Sequence, residues 1–162
     1  MPNNYYAGIG SQDTPQSICD LMVEIAGWLC DEGWILRSGG ARGADTAFEV
    51  GARGKARIFR AEHATLSSLF LAEMFHPAWH KCSPNVKNLH ARNGLILLGK
   101  ELTNPAEFVK FVACWTPNGA IAGGTGQGLR IAEHYGIPVF NLFNADAARN
   151  LYHFVRGQAR AN

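Results

Sequence analysis

The chain has 162 residues, 47% hydrophobic and 17% charged, which excludes a disordered protein and suffices to bury one proper core. Its formal charge of +2 gives no strong electrostatic footprint for duplex DNA or an anionic membrane. There is no apolar run of membrane-spanning length and no basic-then-apolar leader, so the expectation is a single domain over residues 1–162, cytoplasmic, with no membrane partner.

Tyr5-Tyr6-Ala7-Gly8-Ile9-Gly10-Ser11 reads as a buried first strand entering a glycine turn. Thr14 and Pro15 suit the cap and first position of a helix, in which Ile18, Leu21, Met22, Ile25, Ala26 and Leu29 recur at three- and four-residue spacing until Gly33. Trp34–Ser38 is a second strand, Ala44–Ala52 a second helix and Arg57–Ala61 a short third strand. That alternation implies parallel strands with right-handed crossovers and a ligand site beyond their carboxyl ends. Further on, Leu66–Phe75 is a helix ended by Pro77, Val86–Leu98 another, and Phe108–Trp115 a fourth strand. Leu129–Tyr135 is a helix closed by Gly136, Ile137–Phe143 a fifth strand, and Ala145–Val155 a final helix before a loose tail. The expected fold is α/β, a Rossmann-like three-layer domain with a mainly parallel sheet of about five strands.

Two glycine clusters carry the candidate chemistry. Ser38-Gly39-Gly40-Ala41-Arg42-Gly43-Ala44-Asp45 follows the second strand and opens a helix, where unpaired N–H groups and the helix dipole favour an anion. Gly123-Gly124-Thr125-Gly126-Gln127-Gly128 repeats that logic about eighty residues later. A dinucleotide fingerprint is disfavoured, because Gly8-Ile9-Gly10 lacks its third glycine and Ser38 stands where an acidic residue would end the second strand. Gly94–Glu101 resembles a P-loop only in outline: its middle is apolar, Glu101 replaces the Ser/Thr that holds magnesium, and it reads as a buried helix face. The spacing of His76, His80, Cys82 and His90 permits a metal, but Pro77 interrupts it and no second Cys/His pair follows, so no metal and no cofactor is expected. Cys19, Cys30, Cys82 and Cys114 are widely spaced and read as reduced thiols.

The stretch Ser38–Ala47 resembles the Ser-Gly-x-Ala-Arg-Gly-Ile-Asp-Ala motif of the DNA-processing protein A (DprA/Smf) family. Arg92-Asn93-Gly94-Leu95-Ile96 is similar to that family's Arg-Asn-Arg-Ile-Ile, and Ala7–Ser11 to its first strand and turn. The resemblance spans Tyr6 to Phe143 and looks most like small stand-alone DprA-like proteins of phages and bacteria. It extends to the wider SLOG superfamily, including the LOG phosphoribohydrolases, and implies nucleotide-derived ligands, single-stranded DNA and a homodimer. The LOG pattern Pro-Gly-Gly-x-Gly-Thr-x-Glu-Glu carries a catalytic glutamate, whereas Leu129 and Arg130 stand in place of its two acids here. A nucleoside monophosphate phosphoribohydrolase would have to use Arg92 with Glu133 or Glu49, so the balance leans away from an enzyme.

The leading expectation is therefore a grip for a nucleotide or nucleotide-derived small molecule. Its site is Gly10, Ser11, Ser38, Gly39, Gly40, Arg42, Gly43, Asp45, Arg92, Asn93, Gly123, Gly124, Thr125, Gly126 and Gln127. Amides at 10–11, 39–43 and 124–127 would hold phosphate, Arg42 and Arg92 would add charge-assisted bonds, and Asp45 would orient Arg42 or accept from a ribose hydroxyl. The alternative partner is single-stranded DNA along the basic residues Arg37, Arg42, Arg53, Lys55, Arg57 and Arg60.

Overall fold

A computed structural model describes residues 3–161. Five parallel strands, β1 (Tyr5–Gly10), β2 (Ile35–Ser38), β3 (Ala56–Ile58), β4 (Val112–Trp115) and β5 (Val139–Asn141), lie in the order β3-β2-β1-β4-β5. The helices are α1 (Gln16–Asp31), α2 (Ala44–Ala52), α3 (Leu66–Phe75), α4 (Pro84–Leu98), α5 (Gly123–His134) and α6 (Ala147–Ala161). The expected three-layer α/β fold is the one observed.

The pleat of β1 explains the layers. Tyr6 joins Met22 of α1, Phe48 of α2 and Leu151 of α6 in one core. Ala7 and Ile9 point the other way, into a second core with Leu71 of α3, Leu95–Leu98 of α4 and Ile131 of α5. Gly8 is obligatory in the first core, since a Cβ there would lie 2.6 Å from the Phe48 ring. The chain winds outward from β1 through β2 to β3, then returns to the opposite side of β1 for β4. That reversal creates a crevice at the carboxyl ends of β1 and β4.

Several local expectations change. Thr14 does not cap α1: its hydroxyl donates to the Ser11 carbonyl at 2.6 Å, and Pro15 takes the cap position with its carbonyl accepting from Ile18 and Cys19. Helix α1 ends as expected at Gly33, with the Gly33 amide on Cys30 O and the Trp34 amide on Leu29 O in a Schellman arrangement. Ser83 caps α4 two residues earlier than the periodicity implied, accepting from the Val86 amide with Pro84 in the first turn. The second glycine cluster lies inside α5 rather than before it, and α6 continues to Ala161 where a loose tail was expected. All four cysteines are free thiols. Among the described residues no helix is long and apolar enough to cross a membrane.

Candidate ligand-binding site

A cavity of about 520 Å³ occupies the crevice between β1 and β4. Residues 9–13, from the end of β1 into the turn beyond it, and Thr116-Pro117 after β4 form its base. Helix α4 supplies Val86, Leu89, His90, Arg92 and Asn93, and the first turn of α5 supplies Gly123, Gly124 and Thr125. Ala41 and Asp45 close the remaining side.

Arg92 ties these walls together. Its Nη1 donates to the carbonyls of Gly39 (2.7 Å) and Phe59 (3.0 Å), beyond the ends of β2 and β3, and its Nε donates to Asn93 Oδ1 at 3.0 Å. The Asn93 amide in turn donates to Gly124 O at 3.2 Å, so one pair on α4 links the first glycine stretch to the second. Burial lowers the Arg92 pKa and the Asp45 carboxylate opposes that shift. Gly39 leaves room for that guanidinium, since a Cβ there would sit 2.4 Å from Arg92 Nη1 and the arginine would have to shift. Gly39→Ala should therefore push the guanidinium off its carbonyl partners and cost about 2 kcal/mol. Urea denaturation of that variant beside wild type measures it, and an unchanged midpoint would contradict the packing argument.

Asp45 is buried, at 4% exposure, and accepts at Oδ2 from the amides of Gly39 (3.2 Å) and Ala41 (3.3 Å). The sequence assigned those amides to phosphate; instead an internal carboxylate occupies them. Desolvation raises the Asp45 pKa to about 6, against the opposing influence of Arg92 and the amides of Ala41, Gly39 and Gly10. Nor does Asp45 orient Arg42, which is exposed and donates to Gln12 Oε1 at 3.3 Å.

Of the expected site residues, Gly10, Ser11, Asp45, Arg92, Asn93, Gly123, Gly124 and Thr125 meet at the cavity. The others serve the frame around it. Ser38 Oγ donates to Gly8 O at 2.5 Å, Gly40 packs on Ile58 and Arg60, and Gly43 crosses the Ser11-Gln12 backbone with a positive φ of 82°. Gly126 fits closely against Ile121, while the fully buried Gln127 donates to Ala72 O at 2.9 Å and accepts from Arg130 at 2.8 Å. The amides of Ser11 and Gly126 are also committed, to Trp115 O and Ala122 O. Gly123 and Gly124 differ from these, because an added Cβ at either would meet nothing within 4 Å, and this end of α5 leaves room for a ligand to approach its first-turn amides.

Thr116 was missed, and His90, weighed in the sequence only as a metal ligand, was not expected in the cavity lining. Val86, Leu89, His90 and Asn93 share one face of α4 at three- and four-residue spacing, so extending that face back from Arg92-Asn93 leads to the histidine. Burial, with His76, Arg130 and Arg92 nearby, lowers the His90 pKa to about 4. The Thr116 hydroxyl accepts from Asn141 Nδ2 at 2.7 Å, a pairing across β4 and β5 that no local pattern announces. At the two positions aligned with the LOG acids, Leu129 is buried and Arg130 turns to the end of α3, donating to Phe75 O at 2.9 Å. Neither Glu49 nor Glu133 lines the cavity, whose carboxylates are Asp13 and Asp45.

No protein-family model matches the sequence, and no curated protein matches it. Among solved structures the chain is similar to DNA processing protein A from Helicobacter pylori, which binds single-stranded DNA. The TM-score is 0.58 at 19% identity, over 86% of this chain and 65% of that one. The chain thus spans about 65% of the length of the protein it matches, and what the two share is a fold.

Proposed function

We propose that the protein binds single-stranded DNA as one DprA-like domain, with phosphates on the basic edge of the sheet at β3. The observation that carries this reading is a groove of about 340 Å³ whose lining includes Arg57, Phe59, His63 and Lys100. Cations that follow a backbone beside an aromatic ring are the chemistry of sequence-tolerant single-strand binding. Arg57, His63 and Lys100 are exposed, and the end of this groove adjoins the cavity wall through the Phe59 carbonyl that Arg92 holds. The DNA binding of the Helicobacter pylori protein supports the same class of partner. Two of the six arginines and lysines first considered do not contribute. Arg37 is buried, donating to Glu107 O at 2.6 Å over the Tyr5 ring, and Arg53 pairs with Asp31.

A second reading keeps a free nucleotide or nucleotide-derived molecule in the main cavity. It is favoured by the open approach to Gly123 and Gly124 beside Arg92 and Asn93. A homodimer belongs to either reading, with Leu66, Phe70 and Met74 exposed along α3.

Fluorescence anisotropy with a labelled oligonucleotide tests the first reading. Affinity should fall steeply with salt, and Arg57→Ala with Lys100→Ala should each reduce the log–log slope by about 0.7. Competition by unlabelled mononucleotide would move the ligand to the cavity. A salt-independent signal, or slopes unchanged in both variants, would exclude DNA at this edge.

A further inference from the structure

We propose that His76, Cys82 and His90 form a binding site for a divalent transition metal of the zinc class. Their candidate ligand atoms all lie within 4.8 Å of one another. Zinc–nitrogen and zinc–sulfur bonds in a tetrahedron place ligand atoms about 3.3–3.6 Å apart, so the cluster must tighten by about an ångström. One edge is already near that span, with Cys82 Sγ 3.7 Å from His76 Nε2.

The chain is shaped for this convergence by the residue that argued against it in the sequence. His76 ends α3, Pro77 forbids its continuation, and a single 3-10 turn at Trp79–Lys81 reverses direction. Cys82 then arrives immediately before the Ser83 cap of α4, and His90 follows on that helix. His80, the fourth candidate in the sequence, is exposed on the turn and stands outside the cluster.

The donor set suits a borderline ion: two imidazoles and one thiolate bind zinc well and calcium or magnesium poorly. His76 and His90 sit close together, with ring centroids 4.5 Å apart. His76 Nδ1 accepts from the Ala78 amide at 3.0 Å, which places the ring proton on Nε2 facing Cys82 Sγ. On metal binding at Nε2 that proton moves to Nδ1, the Ala78 contact opens, and the thiol releases its proton to solvent. The Arg130 guanidinium acts on both histidines and opposes a dication, so the thiolate charge is essential to the site. Three protein ligands leave a fourth position for water or a ligand atom. Because His90 also lines the main cavity, a bound ion would adjoin whatever that cavity holds.

The test uses the full chain, stripped with chelator and titrated with zinc against a chromophoric indicator, then with cobalt. The expected result is one equivalent of zinc and, with cobalt, a thiolate-to-metal charge-transfer band. Cys82→Ser should abolish that band and weaken zinc binding at least about tenfold, since even an outer-sphere partner of a ligand is worth that much. His80→Gln should change neither. Circular dichroism shows whether Cys82→Ser, a change of one atom at a partly exposed position, keeps the fold. No binding, a cobalt complex without the thiolate band, or equal losses in Cys82→Ser and His80→Gln would each overturn the proposal, leaving His76 and Cys82 as a hydrogen-bonded pair.

Discussion

Arg92→Ala should lower the unfolding free energy by about 3 kcal/mol, more than any other single change in the cavity wall. The guanidinium holds the carbonyls beyond β2 and β3 at 2.7 and 3.0 Å from one nitrogen, and each hydrogen bond to a charged donor contributes about 1.5–3 kcal/mol. Truncation leaves the carbonyl of the buried Gly39 without that donor, and frees Asn93 from its neighbour on α4. Arg92 is only partly buried, so water can enter and compensate in part, and the lower end of the summed range is the appropriate figure. Arg92→Lys separates charge from geometry: an ammonium keeps the charge but lacks the fork, and should recover about half of the loss. Urea denaturation of the three proteins at neutral pH measures this. A loss below about 1 kcal/mol for Arg92→Ala would mean that the strand ends hold their positions without it.

That role also marks what could be read in the sequence and what could not. Arg92-Asn93 stood out as a pair, but its partners lie 53, 33 and 31 residues away, so its function as a tie between two glycine stretches exists only in three dimensions. The strands and the crossover order were legible because β1 and β2 are short apolar runs ended by glycine and serine, and because α1 repeats its apolar residues at helical spacing. The start of α5 was not. Four glycines among residues 123–128 argue against a helix, at about 1 kcal/mol each relative to alanine. Tertiary packing reverses that preference: a Cβ on Gly128 would lie 3.1 Å from Ile9, and Gln127 and Leu129 are buried on either side. The glycines let α5 lie close to the sheet as well as expose its first turn. Likewise, glycine-rich spacing showed where amides would be plentiful, but not which were already taken. Asp45 read as a partner for Arg42 or for a ribose hydroxyl, and its actual contacts run backward to Gly39 and Ala41.

Those contacts lead to a pH dependence of stability with a definite sign. Asp45 ionises near pH 6 in the folded protein, above its ordinary 3.8, because burial outweighs Arg92 and the surrounding amides. Below about pH 3.8 the group is protonated whether the chain is folded or not, and it contributes no difference. Between 3.8 and about 6 the unfolded chain ionises first, so stability falls as pH rises. Above about 6 the full penalty persists, at about 3 kcal/mol for a gap of roughly two pKa units. Asp45→Asn removes the charge while a single amide oxygen can still accept from Gly39 and Ala41, both of which use Oδ2. The Gly10 amide, which also favours the carboxylate, loses its partner, and that fixed cost does not vary with pH. The variant should therefore gain on wild type by roughly 2.4 kcal/mol as pH rises from 4 to 7, most of it before pH 6. Urea denaturation at unit pH intervals gives the difference curve, in which the other carboxylates cancel; a difference flat with pH would mean that Asp45 ionises alike in both states. Because Asp45 also lines the cavity, its charge opposes an anion there. An anion bound in the cavity should accordingly be held more tightly as pH falls through 6 in wild type, and with no such gain in Asp45→Asn.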